Sequence, residues 1–152
     1  MNVKILAILL AGAAGGFALF ERGQANEGAE SIHVYKSPTC GCCTNWVAHL
    51  EDAGFDVTVE DVTDVAAVKT SLGVPSDLGS CHTATVGGYV IEGHVPAENI
   101  KDLLAQAPEV RGLAVPGMPV GSPGMEGPNA APYDVLAFDE AGNRGVFARI
   151  TP

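Results

Sequence analysis

Three cysteines within four residues, Cys40-Gly41-Cys42-Cys43, stand between the apolar run over 32–35 and a helix-like stretch beginning near Thr44. A short apolar run followed at once by helical periodicity reads as strand, tight turn, helix. The sulfurs then sit at a helix start, where free backbone N–H groups and the positive end of the dipole favour thiolate over thiol. The fourth and last cysteine, Cys81, lies in Ser80-Cys81-His82-Thr83, so every sulfhydryl belongs to one cluster and one distant partner.

Beyond the cysteines the pattern alternates between the two periodicities. A helix is predicted over 44–54, with Trp46, Val47 and Leu50 on one face and Gly54 as a left-handed C-cap. A strand over 55–59 alternates Phe55, Val57 and Val59, and Thr63 then caps a helix carrying Val65, Val68 and Leu72, stopped by Gly73 and Pro75. Strands over 83–86 and 89–92 flank Gly87-Gly88, a two-residue hairpin turn, and Pro96 opens a last helix with Ile100, Leu103, Leu104 and Ala107. This order, βαβα then ββα, resembles the thioredoxin fold. In that α/β fold the loop entering the third strand packs against the cysteine-bearing helix start. The resemblance therefore implies that Cys81 faces Cys40 and Cys43, and that four sulfurs converge.

The thioredoxin-like core is expected over 31–107, after a polar linker over 26–30. Residues 108–132 are rich in Gly and Pro, low in charge, and include Met118 and Met125. A stretch this long without secondary structure is either disordered or functional. Leu113, Val115, Met118, Val120 and Met125 give it apolar residues to pack, so it is expected to wrap over the domain. Residues 133–152 then read as a C-terminal β-hairpin packed on the core.

Residues 1–25 have a targeting composition. Lys4 precedes an apolar run, and Gly23-Gln24-Ala25 offers the small residues a signal peptidase reads, so export to the periplasm is expected. The rival reading is an uncleaved anchor over 3–20, which would be the protein's contact with the membrane. The whole chain of 152 residues carries a formal net charge of −10. An acidic surface without a basic, aromatic-studded patch excludes nucleic acid as a partner.

Three chemistries compete for the sulfurs. Structural disulfides suit an exported chain with an even cysteine count. Adjacent Cys42 and Cys43, however, diverge by about 100° on a helix turn, and a domain this apolar needs no staples. Cys40 and Cys43 have the C-x-x-C spacing of a thiol–disulfide oxidoreductase, although Cys42 and Cys81 would trap the mixed disulfides such a catalyst must release. A thiophilic metal is the third explanation. Soft thiolates select Cu(I), and diverging sulfurs are better placed to bridge several Cu(I) ions than to close around one tetrahedral zinc. Iron–sulfur clusters use other cysteine spacings. Cys40, Cys42, Cys43 and Cys81 are accordingly the candidate copper ligands, and exchange through Cys40 and Cys43 is the alternative.

Weaker donors surround this set. Met118 and Met125 add thioethers if the Gly/Pro loop folds over the site, although methionine more often packs than ligates. His82 is next to Cys81, but in a strand its side chain would point to the opposite face. His94, in Glu92-Gly93-His94-Val95-Pro96, can supply or orient an imidazole. His49 is about 10 Å along the helix from Cys42, too far to share an ion with it, and His33 reads as structural. Trp46 is expected to pack in the core and shield the site from water.

Four separated segments carry a specific resemblance: residues 34–43 through Cys40-Gly41-Cys42-Cys43, then Ser80-Cys81-His82-Thr83-Ala84, Glu92-Gly93-His94-Val95-Pro96-Ala97 and Gly112-Leu113-Ala114-Val115-Pro116-Gly117-Met118-Pro119. Over residues 31–150 the chain resembles the CopG-type family of exported copper-resistance proteins. The resemblance implies a periplasmic protein in which Cys40, Cys42, Cys43 and Cys81 hold a cluster of several copper ions. It also implies interconversion of Cu(I) and Cu(II), a copper oxidoreductase activity, and other periplasmic copper-handling proteins as partners. Met118, Met125 and His94 lie in matching segments.

Overall fold

The computed structural model describes residues 29–152. The expected signal peptide or anchor over 1–25 lies outside the described residues, among which no helix is long and apolar enough to cross a membrane. Strand β1, Ser31–Lys36, alternates buried Ile32, Val34 and Lys36 with more exposed neighbours, the period of a half-buried strand. Helix α1 spans Gly41–Asp52 and buries Cys43, Trp46, Val47 and Leu50, an i, i+3, i+4, i+7 stripe. The helix therefore starts three residues earlier than its apolar periodicity indicates, because Cys42 and Cys43 occupy its first turn rather than the loop before it.

Strand β2, Asp56–Asp61, lies at the edge of the sheet and is nearly all exposed. Phe55 is buried just before it, while Val59 is 41% exposed. Helix α2, Val65–Leu72, is capped by Asp64, whose side chain accepts from Ala67 N–H at 2.9 Å, and ends at Gly73 with φ +77°. The cap is thus one residue after the expected Thr63. A 3-10 turn, Ser76–Leu78, leads into β3, His82–Val86, and β4, Tyr89–Glu92, which pair antiparallel around Gly87-Gly88. Helix α3 runs Ala97–Gln106 and ends at Ala107 in the left-handed region.

The Gly/Pro segment is not free of secondary structure. Gly112–Ala114 forms β5, fully buried and hydrogen-bonded parallel to β4 and antiparallel to β6. Strands β6, Tyr133–Phe138, and β7, Arg144–Ile150, then continue the same sheet, whose order is β2-β1-β3-β4-β5-β6-β7. A three-residue strand with Gly at its head is short for periodicity to detect; what makes it a strand is the pair of ladders on either side.

The core forms two clusters. Trp46, Val47 and Leu50 of α1 and Ile100 and Leu103 of α3 pack with Ile32, Val34, Ala84, Ile91, Leu113 and Val135. Val90, Ala114 and Phe138 pack with Leu78 and, at the end of α2, Leu72. Since neighbouring strand residues face opposite ways, Ile91 against Val90 and Leu113 against Ala114, α1 and α3 cover one face and α2 the other. The cysteine-bearing start of α1 is therefore held at the end of the sheet where β1 leaves and β3 enters.

Candidate metal centre

Cys40 occupies the N-cap position of α1, with no side chain capping the first turn, so the site begins where backbone N–H groups lack helical partners. Cys40 and Cys43 are joined by a disulfide, while Cys42 and Cys81 are free thiols. Cys42 Sγ lies 3.5 Å from Cys40 Sγ and 3.9 Å from Cys81 Sγ. All four sulfurs fall within 4.8 Å of one another. Cys43 is buried and the other three are half-buried. Cys81 lies outside the helix start: burial, followed by the neighbouring Cys42, pushes its thiol up to about 11.

A second set of donors adjoins Cys81. His94 Nε2 is 2.9 Å from Cys81 Sγ, and His94 Nδ1 is 2.7 Å from the Pro123 carbonyl. A carbonyl only accepts, so Nδ1 carries the proton and Nε2 turns its lone pair to the sulfur. His82 Nδ1 lies 3.4 Å from Cys81 Sγ, so this imidazole does not turn away as strand alternation indicates; residue 82 is the first of β3, and Cys81 is not yet in the pleat. His82 is fully buried between the Trp46 ring at 4.2 Å and the His94 ring at 4.9 Å, and its Nε2 has no hydrogen-bond partner among the described residues. Burial holds His82 well below its ordinary 6.5, helped by His94 and Lys69, and lowers His94 as well, so both rings are neutral donors. The Cys81, His82 and His94 donor atoms also lie within 4.8 Å of one another.

The Gly/Pro loop closes against this site. Gly117 N–H donates to the Gly79 carbonyl at 3.2 Å, and the Ser80 hydroxyl donates to the Gly117 carbonyl. Gly124 has φ +82°, and a Cβ there would stand 2.7 Å from the Cys42 carbonyl oxygen and 2.8 Å from Trp46 N. Only glycine lets this loop rest on the first turn of α1. Met125 follows it, half-buried, whereas Met118 is 53% exposed.

Two solved structures, both named "Copper resistance protein copG", resemble this protein along nearly their whole length. Form 2 is 45% identical, covers 81% of this chain and 99% of its own, and superposes with a TM-score of 0.77. Form 1 is 46% identical over 80% and 98%, with a TM-score of 0.75. The chain belongs to the CopG copper-resistance family. A family profile described as "Protein of unknown function, DUF411" matches residues 78–125, which include Cys81, His82, His94, Met118 and Met125 but not the cysteine cluster of α1. No curated protein matches the chain.

In this CopG relative the tertiary structure brings together Cys40, Cys42, Cys43, Cys81, His82 and His94. It leaves His33 at the surface beside Glu60 and uses His49 to accept from Ala97 N–H at 3.1 Å. Trp46 is completely buried and donates to the Val95 carbonyl at 2.9 Å. One contributor had no sequence signal of its own: the Pro123 carbonyl, a backbone atom that fixes the His94 ring.

Proposed function

We propose that this protein binds copper in the periplasm for copper resistance, holding a thiolate-bridged cluster of several copper ions on Cys40, Cys42, Cys43 and Cys81. The observation that carries this reading is the convergence of all four sulfurs within 4.8 Å, three from one helix start and one from the facing loop. Sulfurs 3.5 and 3.9 Å apart are spaced as two donors sharing an ion at metal–sulfur bonds of about 2.3 Å. Such a soft set favours Cu(I), and membership of a family of copper-resistance proteins supports copper over zinc. The thioredoxin-like reading of the core rests on the βαβαββα order and the strand order β2-β1-β3-β4.

Loading requires the reduced state. Two molecules of an external thiol reductant convert the Cys40–Cys43 disulfide to two thiols and leave as their own disulfide, and copper then displaces the thiol protons. His82 and His94 add nitrogen donors beside Cys81, which suit Cu(II) better than sulfur alone does, so the site has donors for both oxidation states. Met118 and Met125 are secondary candidates. Delivery and removal of copper would involve other periplasmic copper-handling proteins.

The Cys40–Cys43 disulfide favours a second reading, a thiol–disulfide oxidoreductase in which these two cysteines exchange with substrate thiols. Metal analysis with free-thiol titration separates the two. The mature domain, purified anaerobically after growth with copper and with zinc, should carry several coppers per chain, with thiols protected until a chelator removes them. A metal-free protein whose disulfide equilibrates readily with glutathione would make the exchange reading correct instead.

A further inference from the structure

Cys81 is the cluster sulfur that stands away from the start of α1. It lies in the short gap between the 3-10 turn ending at Leu78 and β3 beginning at His82, so no regular element supports it directly. The N–H of the preceding residue, Ser80, donates instead to the Glu92 side chain, at 2.5 Å from Oε1. Glu92 is completely buried at the end of β4. Its Oε1 also accepts from Lys69 Nζ of α2 at 2.6 Å, and its Oε2 accepts from the Thr83 hydroxyl at 2.6 Å. Lys69 Nζ makes a further bond to Thr83 Oγ1 at 3.0 Å. One carboxylate thus grips the residue before Cys81 and the residue two after it, and ties both to α2.

A buried carboxylate is costly unless charge and hydrogen bonds compensate it, and here three donors do so. Its backbone belongs to the same clamp. Gly93 N–H donates to the His82 carbonyl at 3.1 Å, and Val115 N–H donates to the Glu92 carbonyl at 2.9 Å. Gly93, with φ +72°, lets the chain turn there; a Cβ would meet Ser80 Oγ at 2.5 Å. The loop holding Cys81 is therefore gripped from β4 on both sides of the sulfur, with the Sγ left 3.9 Å from Cys42 and 2.9 Å from His94.

We propose that Glu92 is a positioning residue for Cys81: its carboxylate holds the Ser80 peptide and thereby sets the Cys81 sulfur against Cys42 and His94. The consequence for metal rests on the copper reading given above, whereas the positioning does not. A buried ion pair serving stability alone would shift the melting temperature of a variant without changing how Cys81 meets Cys42.

The test uses a chain with Cys40→Ser and Cys43→Ser, which leaves Cys42 and Cys81 as its two thiols. Equilibration with oxidised glutathione forms the Cys42–Cys81 disulfide and two reduced glutathiones, and the equilibrium constant is the effective concentration of one thiol at the other. Adding Glu92→Leu is expected to lower it by about tenfold or more, the usual scale for losing an orienting partner. Glu92→Gln keeps an acceptor for Ser80 N–H and should stay within about threefold. Glu92→Asp keeps the charge but withdraws it from Ser80, and should fall with Glu92→Leu; it decides the matter if the leucine variant does not fold. An unchanged effective concentration in folded Glu92→Leu or Glu92→Asp overturns the proposal. In the otherwise unaltered chain, Cu(I) retention against a competing chelator should fall in parallel. If the parent chain binds no copper while the thiol equilibrium still responds to residue 92, the copper reading fails and the positioning role stands.

Discussion

Cys42 is where the two chemistries of the site part. It is the sulfur between the others, 3.5 Å from Cys40 and 3.9 Å from Cys81, yet it takes no part in the Cys40–Cys43 disulfide. Under the proposed copper reading Cys42→Ser should therefore lower bound copper per chain by roughly half or more, since the remaining three sulfurs lose their common neighbour. Glutathione exchange through Cys40 and Cys43 should stay within about threefold of the parent rate in the same variant. Metal analysis and a thiol-exchange assay on one preparation check both; full copper stoichiometry in the serine variant would remove Cys42 from the bridge. At this scale the sequence was legible where chemistry is local. Three thiols at a helix start are visible in four letters, but the high Cys81 pKa is not, because it comes from burial among residues distant in the chain.

Among the elements, α1 and α3 are coupled by a contact that neither sequence pattern predicts. His49, on the last turns of α1, accepts the Ala97 N–H at the start of α3, one of the orphan donors every helix leaves. Burial lowers its pKa from 6.5, against the opposing charges of Glu126, Asp52 and Glu98 and with the help of Lys101. Folding therefore favours the neutral ring. Its contribution is complete above 6.5 and is lost as pH falls below that value toward the folded-state pKa, where the unfolded chain binds a proton that the folded chain refuses. Urea unfolding of the metal-free protein should show stability decreasing from about pH 7.5 to about pH 5.5, more steeply than in His49→Gln. His49→Phe should be less stable by about 1 kcal/mol even at neutral pH, because Ala97 N–H loses its acceptor. An equal slope in parent and glutamine variants would show that another group governs this range. The helices themselves were readable from apolar spacing. The early start of α1 and the Asp64 cap were not, because caps depend on which side chain reaches the free N–H groups.

Across the whole molecule β5 is the piece that makes one sheet of two parts. It receives β4 on one side and β6 on the other, and its residues Leu113 and Ala114 contribute to the two core clusters on opposite faces. Its first residue must be glycine: a Cβ at Gly112 would stand 1.8 Å from the Val90 carbonyl oxygen, which is backbone and cannot rotate aside. Gly112→Ala should cost about 2–3 kcal/mol in urea unfolding, by forcing β4 and β5 apart. A variant with parental stability would show that the two strands have room to move. The seven-stranded sheet also explains why residues 133–152 are more than a hairpin laid on a finished core: Val135 and Phe138 are as buried as any residue of the first strands.

By itself, the sequence determined the features that depend on neighbours along the chain: strand, cysteines and helix in succession, the Gly87-Gly88 hairpin, the helical faces, and the thiol content that restricts the chemistry to soft metals or disulfides. Only the tertiary structure decided that Cys42 and Cys81, 39 positions apart, lie within contact distance, that His94 turns its free nitrogen to the Cys81 sulfur, and that a buried carboxylate on β4 accepts from the residue before Cys81. The physical reason is the same in each case. Periodicity and turn chemistry are local energies that a few adjacent residues express, whereas these placements come from pairing and burial across a sheet.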